Sequence, residues 1–165
     1  MDHYVTLAKE LNMLNAIIIS PADLCFDKRA ILKCHWGCED FFKKSIKCHH
    51  RDTTYFDRME MIKNYKHILI AHSHSARELS IALLKLERMA FLDGHYFAFA
   101  ICVCNLCSSC HVEQGEPCPT PHRVRPCDQM CGIDVYKTAR NLNMPCEVLQ
   151  NKGEIQNRYG FLLID

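Results

Sequence analysis

Between Cys104 and Cys118 the chain reads Cys104-Asn105-Leu106-Cys107-Ser108-Ser109-Cys110, then seven residues, then Cys118-Pro119. Four thiols this close suit ligation of one iron–sulfur cluster or metal ion. Two-residue spacers let a loop turn back so that successive sulfurs point at a common centre, and the Cys-Pro corner delivers the fourth. Left as free thiols, the same four would invite oxidation. An earlier set in the chain, the first, is Cys34-His35-Trp36-Gly37-Cys38 and, nine residues on, Cys48; it supplies three thiols, one short of a closed site. The missing donor can come from Cys127 or Cys131, which sit four apart and would share a helix face, from His49 or His50, or from an exogenous molecule. Cys127 follows Pro126 at an expected helix N-terminus, where unpaired amides and the helix dipole favour a thiolate. Cys131, one turn deeper, can still point at a loop packed over that end.

The spacing of the Cys104–Cys118 run resembles that of bacterial ferredoxins, with a final gap of seven residues in place of three, which leaves open whether Cys118 closes this set or reaches across to the one near Cys34. Four-cysteine sets also suit zinc, but structural zinc sites usually combine two separated CxxC knuckles, whereas this run places three donors consecutively; that favours [4Fe–4S] over zinc. A radical S-adenosylmethionine site requires CxxxCxxC, and Cys38 is followed by nine residues instead of two. Cys102 reads as a packing residue at a strand end, and Cys25 and Cys146 as small buried hydrophobes. His72 and His74 read as strand-edge or solvated groups. His122, Arg123 and Arg125 either solvate a loop or offset the negative charge of a thiolate-bound cluster. No phosphate loop, nucleophile elbow or HExxH is present, so common nucleotide-dependent and hydrolytic chemistries receive no support.

The 165 residues, 48% hydrophobic and 24% charged, suit one domain with its own core over residues 1–165. A formal charge of +1 leaves no electrostatic footprint for nucleic acid or anionic lipid. Neither a secretory leader nor an apolar run of the roughly 20 residues that span a bilayer is evident, so a cytoplasmic location is expected. In that reducing compartment the 12 cysteines are not expected to form disulfides.

The elements that must hold these thiols alternate along the chain. Tyr4, Leu7, Ala8 and Leu11 give His3 to Met13 a helical stripe, and Ala16 to Ile19 suits a buried strand. Ser20-Pro21-Ala22-Asp23 interrupts it. An extended stretch from Phe26 to Lys33 is expected to deliver Cys34 to an irregular loop reaching about Thr53. Thr54 caps a helix that carries Phe56, Met59, Ile62 and Tyr65 toward a core, and His67 to His72 alternates into a strand. Ser75 starts the strongest helix, Ala76 to Leu92, striped by Leu79, Leu83, Leu86 and Ala90 and ended by Asp93-Gly94. Tyr96 to Cys102 reads as a strand feeding the Cys104 loop, Asp128 to Leu142 as a helix with Ile133, Tyr136 and Ala139 inward, and Gly160 to Ile164 as a closing strand. The expected architecture is α/β or α+β: a single layered sandwich of a small mixed sheet with helices and two long cysteine-bearing loops, about 34–53 and 102–127.

Four ordered stretches carry a family resemblance: Lys33-Cys34 to Cys48; Ala90-Phe91-Leu92-Asp93-Gly94-His95-Tyr96-Phe97-Ala98-Phe99; Cys104 to Cys118; and Arg125-Pro126-Cys127-Asp128-Gln129-Met130-Cys131-Gly132-Ile133-Asp134-Val135. Across about residues 30 to 140 the chain resembles the cysteine-rich predicted metal-binding proteins of domain-of-unknown-function family 2284, found mainly in anaerobic prokaryotes. The resemblance implies Cys34, Cys38, Cys48, Cys104, Cys107, Cys110, Cys118 and Cys131 as metal-site positions. Family members tend to have Cys-Pro-Pro at Cys48-His49-His50 and Arg-Pro-Ser at Arg125-Pro126-Cys127, so two histidines and one thiol are added near the first set; Cys131 is the preferred fourth donor there, with Cys127 second. Three functions follow. One is an electron-transfer or redox module with one or two [4Fe–4S] clusters and a redox partner protein. Another is a cluster-dependent enzyme with an open iron, and the third is a zinc-stabilised interaction domain.

Overall fold

In the computed structural model, which describes residues 1–43, 46–48 and 51–165, helix α1 (Asp2–Glu10) buries Tyr4 and Ala8 and leads into strand β1 (Asn15–Ile19). The histidine alternatives for the first cysteine set, His49 and His50, lie outside the described residues. The extended stretch expected over Phe26 to Lys33 is instead the start of helix α2 (Lys28–Gly37), so Cys34 sits on a helix. Asp27 decides this: its carboxylate accepts the Arg29 backbone N–H at 2.8 Å, an N-cap that the apolar run following it cannot reveal. Phe26 keeps only a bridge to Ile133. A short helix, α3 (Glu39–Phe42), and a 3₁₀ turn at Ile46–Cys48 order the segment expected to be irregular.

Thr54 caps helix α4 (Tyr55–Lys63), its hydroxyl accepting the Asp57 N–H while the Asp57 carboxylate takes the Thr54 N–H, a reciprocal box. Ile62 is buried as expected, but Phe56 is 58% exposed, with the Lys28 ammonium 4.7 Å from its ring centre. Strand β2 (Ile68–Ser73), helix α5 (Ala76–Leu92), the short strand β3 (Phe99–Ile101), helix α6 (Val135–Asn141) and strand β4 (Arg158–Leu163) complete the fold. α5 runs between its expected limits, capped by Ser75 and followed by Gly94 at φ 99°. β3 is shorter than expected because His95 to Phe97 still belong to the turn, the Ala98 N–H bonding to the His95 carbonyl at 2.8 Å.

The helix expected over Asp128 to Leu142 is broken in two. A 3₁₀ turn at Gln129–Cys131 ends at Gly132, whose φ of 72° is left-handed, and Asp134 then caps α6. Cys127 and Cys131 therefore do not share a helix face. Tyr136, expected inward, is 46% exposed, while Ile133 and Ala139 are buried.

The sheet has the order β1-β2-β4-β3, and every pairing is antiparallel, so the mixed sheet expected from the alternating elements gives way to the α+β arrangement. β4, last in sequence, is inserted between β2 and β3. Alternate residues of each strand face opposite cores. Ala16, Leu69, Ala71, Ala100 and Leu162 pack with α1 and α5; Ile19, Ile68, Ile70, Ile101, Phe161 and Leu163 pack with α4 and α6. Both faces of β2 are covered, which explains its near-continuous apolar run. His72, expected at an edge or in solvent, is 4% exposed, stacked on Tyr159 and bonded through Nε2 to Asn157 Oδ1 at 2.9 Å. Burial holds its pKa below the usual imidazole value.

Gly160 marks a close approach of helix to sheet. A Cβ there would run into the Leu83 side chain and lie 3.2 Å from Cys102 Cβ and 3.3 Å from the Ile101 carbonyl oxygen. Gly160→Ala is expected to destabilise by about 1–3 kcal/mol, the cost typical of overpacking, read as a lowered midpoint in thermal unfolding followed by circular dichroism; an unchanged midpoint would show that α5 yields freely.

Candidate metal centres

The first thiol set is assembled by α2, the Ile46–Cys48 turn and the loop entering the Gln129–Cys131 turn. Cys34, buried on the inner face of α2, packs with Cys127, Met130 and Cys38 in a small cluster of its own. The Cys127 thiol hydrogen-bonds to the Cys34 sulfur, which drives the Cys34 pKa down and the Cys127 pKa up, and burial raises Cys127 further. Cys38 also hydrogen-bonds to Cys34. Cys48 lies close enough to feel both Cys34 and Cys38; burial first, then those two neighbours and Asp40, push its thiol up to about 11. The thiolate expected at Cys127 from a helix N-terminus is thus reversed. No helix begins there, the side chain is buried, and the group donates to Cys34. The Met130 N–H donates to Cys127 Sγ at 3.4 Å, a weak bond that directs the sulfur.

Cys131 is placed elsewhere. It is fully buried in the apolar layer between the sheet and α4, beside Ile133 and Ala139, and its thiol is pushed up to about 12 by burial. The charges acting on it come from Arg58 and Asp128, not from another cysteine. The arrangement therefore brings Cys127 to Cys34 and Cys38, and leaves Cys131 in the core.

The second set lies on the loop after β3. Cys104, Cys107, Cys110 and Cys118 all line one cavity of ≈ 290 Å³, to whose wall Ile46, Lys47 and Val124 also contribute. Cys104 is raised mainly by burial and also by Cys118 and Cys107, while the Leu106 backbone N–H and the Lys47 ammonium lower it. Val112–Gln114 forms a 3₁₀ turn inside the seven-residue gap and Gly115 reverses the chain at φ 81°, which brings Cys118 back beside Cys104. The long gap is thus taken up by a compact turn.

All 12 cysteines are free thiols. Among the described residues no three histidine, cysteine, aspartate or glutamate side chains are yet drawn in tightly around one point. Fit is therefore judged from the donors present. Each set offers four thiols, a ligand chemistry suited to zinc or an iron–sulfur cluster and poorly suited to hard cations. Ligation requires the thiols to lose their protons and to draw together around the metal.

The remaining candidates fall outside both sets. Cys102 ends β3, 3% exposed, as a packing residue. Cys25 and Cys146 are half-buried, and Cys25 Sγ accepts from Asn141 Nδ2 at 3.4 Å. The Arg125 guanidinium is committed to Glu87 through a short two-pronged ion pair; His122 and Arg123 are exposed. Lys47 and Asp40 were not legible as site residues, the only hint being that Lys47 precedes Cys48. Asp128, beside Cys127, is pushed up to about 6 by burial and lines a cleft of ≈ 540 Å³ with Lys33, Gln129 and Arg158.

A layered α+β domain that gathers one set of thiols around α2 and another on the loop after β3 has the donor chemistry of a metal-binding domain. The chain belongs to the family of predicted metal-binding proteins designated DUF2284, whose pattern it matches over residues 17–164. No curated protein and no solved structure matches it. Among the described residues no helix is long and apolar enough to cross a membrane.

Proposed function

We propose that this protein is an iron–sulfur redox module holding one [4Fe–4S] cluster at Cys104, Cys107, Cys110 and Cys118 and a second at Cys34, Cys38, Cys48 and Cys127. The observation that carries the reading is the shared ≈ 290 Å³ cavity lined by all four cysteines of the 104–118 run. Three of those donors come from one CxxCxxC segment, the consecutive arrangement typical of cluster loops. Bound there, a cluster supplies one-electron redox capacity. The chain's own contribution is to hold the four sulfurs, direct hydrogen bonds at them, and line the cavity with Ile46 and Val124, features that set a reduction potential. Cys127 completes the first set as a fourth thiol, and a closed set suits electron transfer better than substrate binding. A redox partner protein would approach the α2–α3 surface, where Trp36 is 82% and Phe42 63% exposed beside Cys34 and Cys38.

The ≈ 540 Å³ cleft supports a second reading, a cluster-dependent enzyme. It reaches the first set through Lys33 and Asp128, the neighbours of Cys34 and Cys127, and its volume falls in the range of small-molecule sites. In the third reading, a zinc-stabilised interaction domain, the same thiols serve only the fold.

Metal and sulfide analysis of anaerobically purified protein tests these readings. Roughly eight irons with matching acid-labile sulfide per chain is the expected result for two clusters. Colourless protein carrying zinc and no sulfide would overturn both iron–sulfur readings.

A further inference from the structure

The two thiol sets meet at one side chain. Lys47 immediately precedes Cys48 of the first set and lines the cavity of the second, beside Cys104. Its side chain is only 11% exposed, and its ammonium is held by Asp40 Oδ2 at 2.9 Å. The Lys47 ammonium favours the thiolate at Cys104, and at Cys48 it does so against the Asp40 carboxylate, whose opposing effect there is the larger. Lys43 offers a contrast on the same segment. It pairs with Glu39 at 2.7 Å but is 45% exposed and outside the cavity.

The backbone joins the sets a second time. The Cys102 N–H donates to the Pro126 carbonyl at 3.0 Å, so the strand end that delivers Cys104 is tied directly to the residue before Cys127. Donors from both sets therefore leave a common, hydrogen-bonded point.

We propose that the two sets form one two-centre unit in which Lys47, anchored by Asp40, is the counter-cation shared by both. This rests on both thiol sets binding metal. Four thiolates around a divalent cation leave two negative charges at each centre, and in a partly buried site such charge is poorly screened by solvent. A cation against both offsets that charge at each and reduces the repulsion between them. Asp40 has a matching role. It fixes the ammonium in place, while its own charge disfavours the thiolates of Cys34 and Cys48 and so leaves them in need of the cation.

The test uses cadmium as the probe on reduced, anaerobic full-length protein, with affinity read by chelator competition and sulfur-to-cadmium absorbance. Cys107→Ser isolates the first set and Cys38→Ser the second, so each is measured alone. Lys47→Met is expected to weaken both by about tenfold, a modest fraction of the charge interaction available at such distances, while Lys47→Arg and Lys43→Met stay within about threefold. Circular dichroism checks folding, and Lys47→Gln, which keeps a polar end for Asp40, replaces Lys47→Met if that variant is unfolded. Weakening confined to one set, or absent from both, overturns the shared counter-cation while leaving metal binding intact. Failure of the unsubstituted chain to take up cadmium at either set overturns the metal-binding reading itself.

Discussion

Cys127→Ser is expected to remove about one of the two centres, whereas Cys131→Ala leaves both loaded and lowers stability instead. Cys127 hydrogen-bonds to Cys34 and packs with Cys38. Serine keeps the size and loses the soft thiolate on which zinc or iron–sulfur ligation depends. Cys131 sits in the apolar layer with Ile133, Ala139 and Phe161, so its truncation leaves a small cavity and costs about 1–2 kcal/mol, a drop of several degrees in melting temperature. Metal per chain and thermal midpoint, measured on the same two variants, separate the outcomes. The opposite pattern, metal lost with Cys131→Ala and retained with Cys127→Ser, would mean that the 127–131 segment rearranges on loading. His49 or His50 completing the first set would show instead as full metal content in both variants.

Cys107→Ser is expected to empty the second centre while the fold survives. The 104–118 loop holds no strand and only the 3₁₀ turn at Val112–Gln114, and Cys107 is exposed. The sheet and its two apolar cores are built from residues outside that loop. A ligand present at about a hundred times its Kd stabilises what it orders by about 2.7 kcal/mol, near a hundredfold in local opening. Hydrogen exchange should therefore accelerate by about that factor across residues 104–118 in Cys107→Ser relative to loaded protein, with little change in β2 and β4. Uniform acceleration through the sheet would show that metal binding is coupled to folding of the whole domain, as in small zinc domains.

The helix limits show how local information succeeds and fails. α5 was readable because one long stripe, a serine cap and a glycine stop all lie within one stretch of chain. α2 was not, because its apolar run satisfies strand and helix alike and only the Asp27 cap separates them. The break at Gly132 escaped for the same reason: a glycine inside a helical pattern is tolerated in many helices. Here its left-handed backbone lies against the Tyr55 ring of α4, a contact from far along the chain.

The expectation of metal binding came from the residues themselves. Thiol chemistry and short spacers mark Cys104, Cys107, Cys110 and Cys118 as a candidate donor set in any fold that leaves the loop free to close, whereas Cys34, Cys38 and Cys48 read as an incomplete set that lacked a fourth donor. Antiparallel strand order, the gathering of Cys127 instead of Cys131 with that pair, and the place of Lys47 between both sets arise only on folding. Each depends on which distant segments meet, and that follows from burying two apolar faces of one sheet. Once Ile133 and Cys131 are drawn into the layer beneath α4, Cys127, four residues earlier, is left at the surface of that layer, against α2 and its thiols.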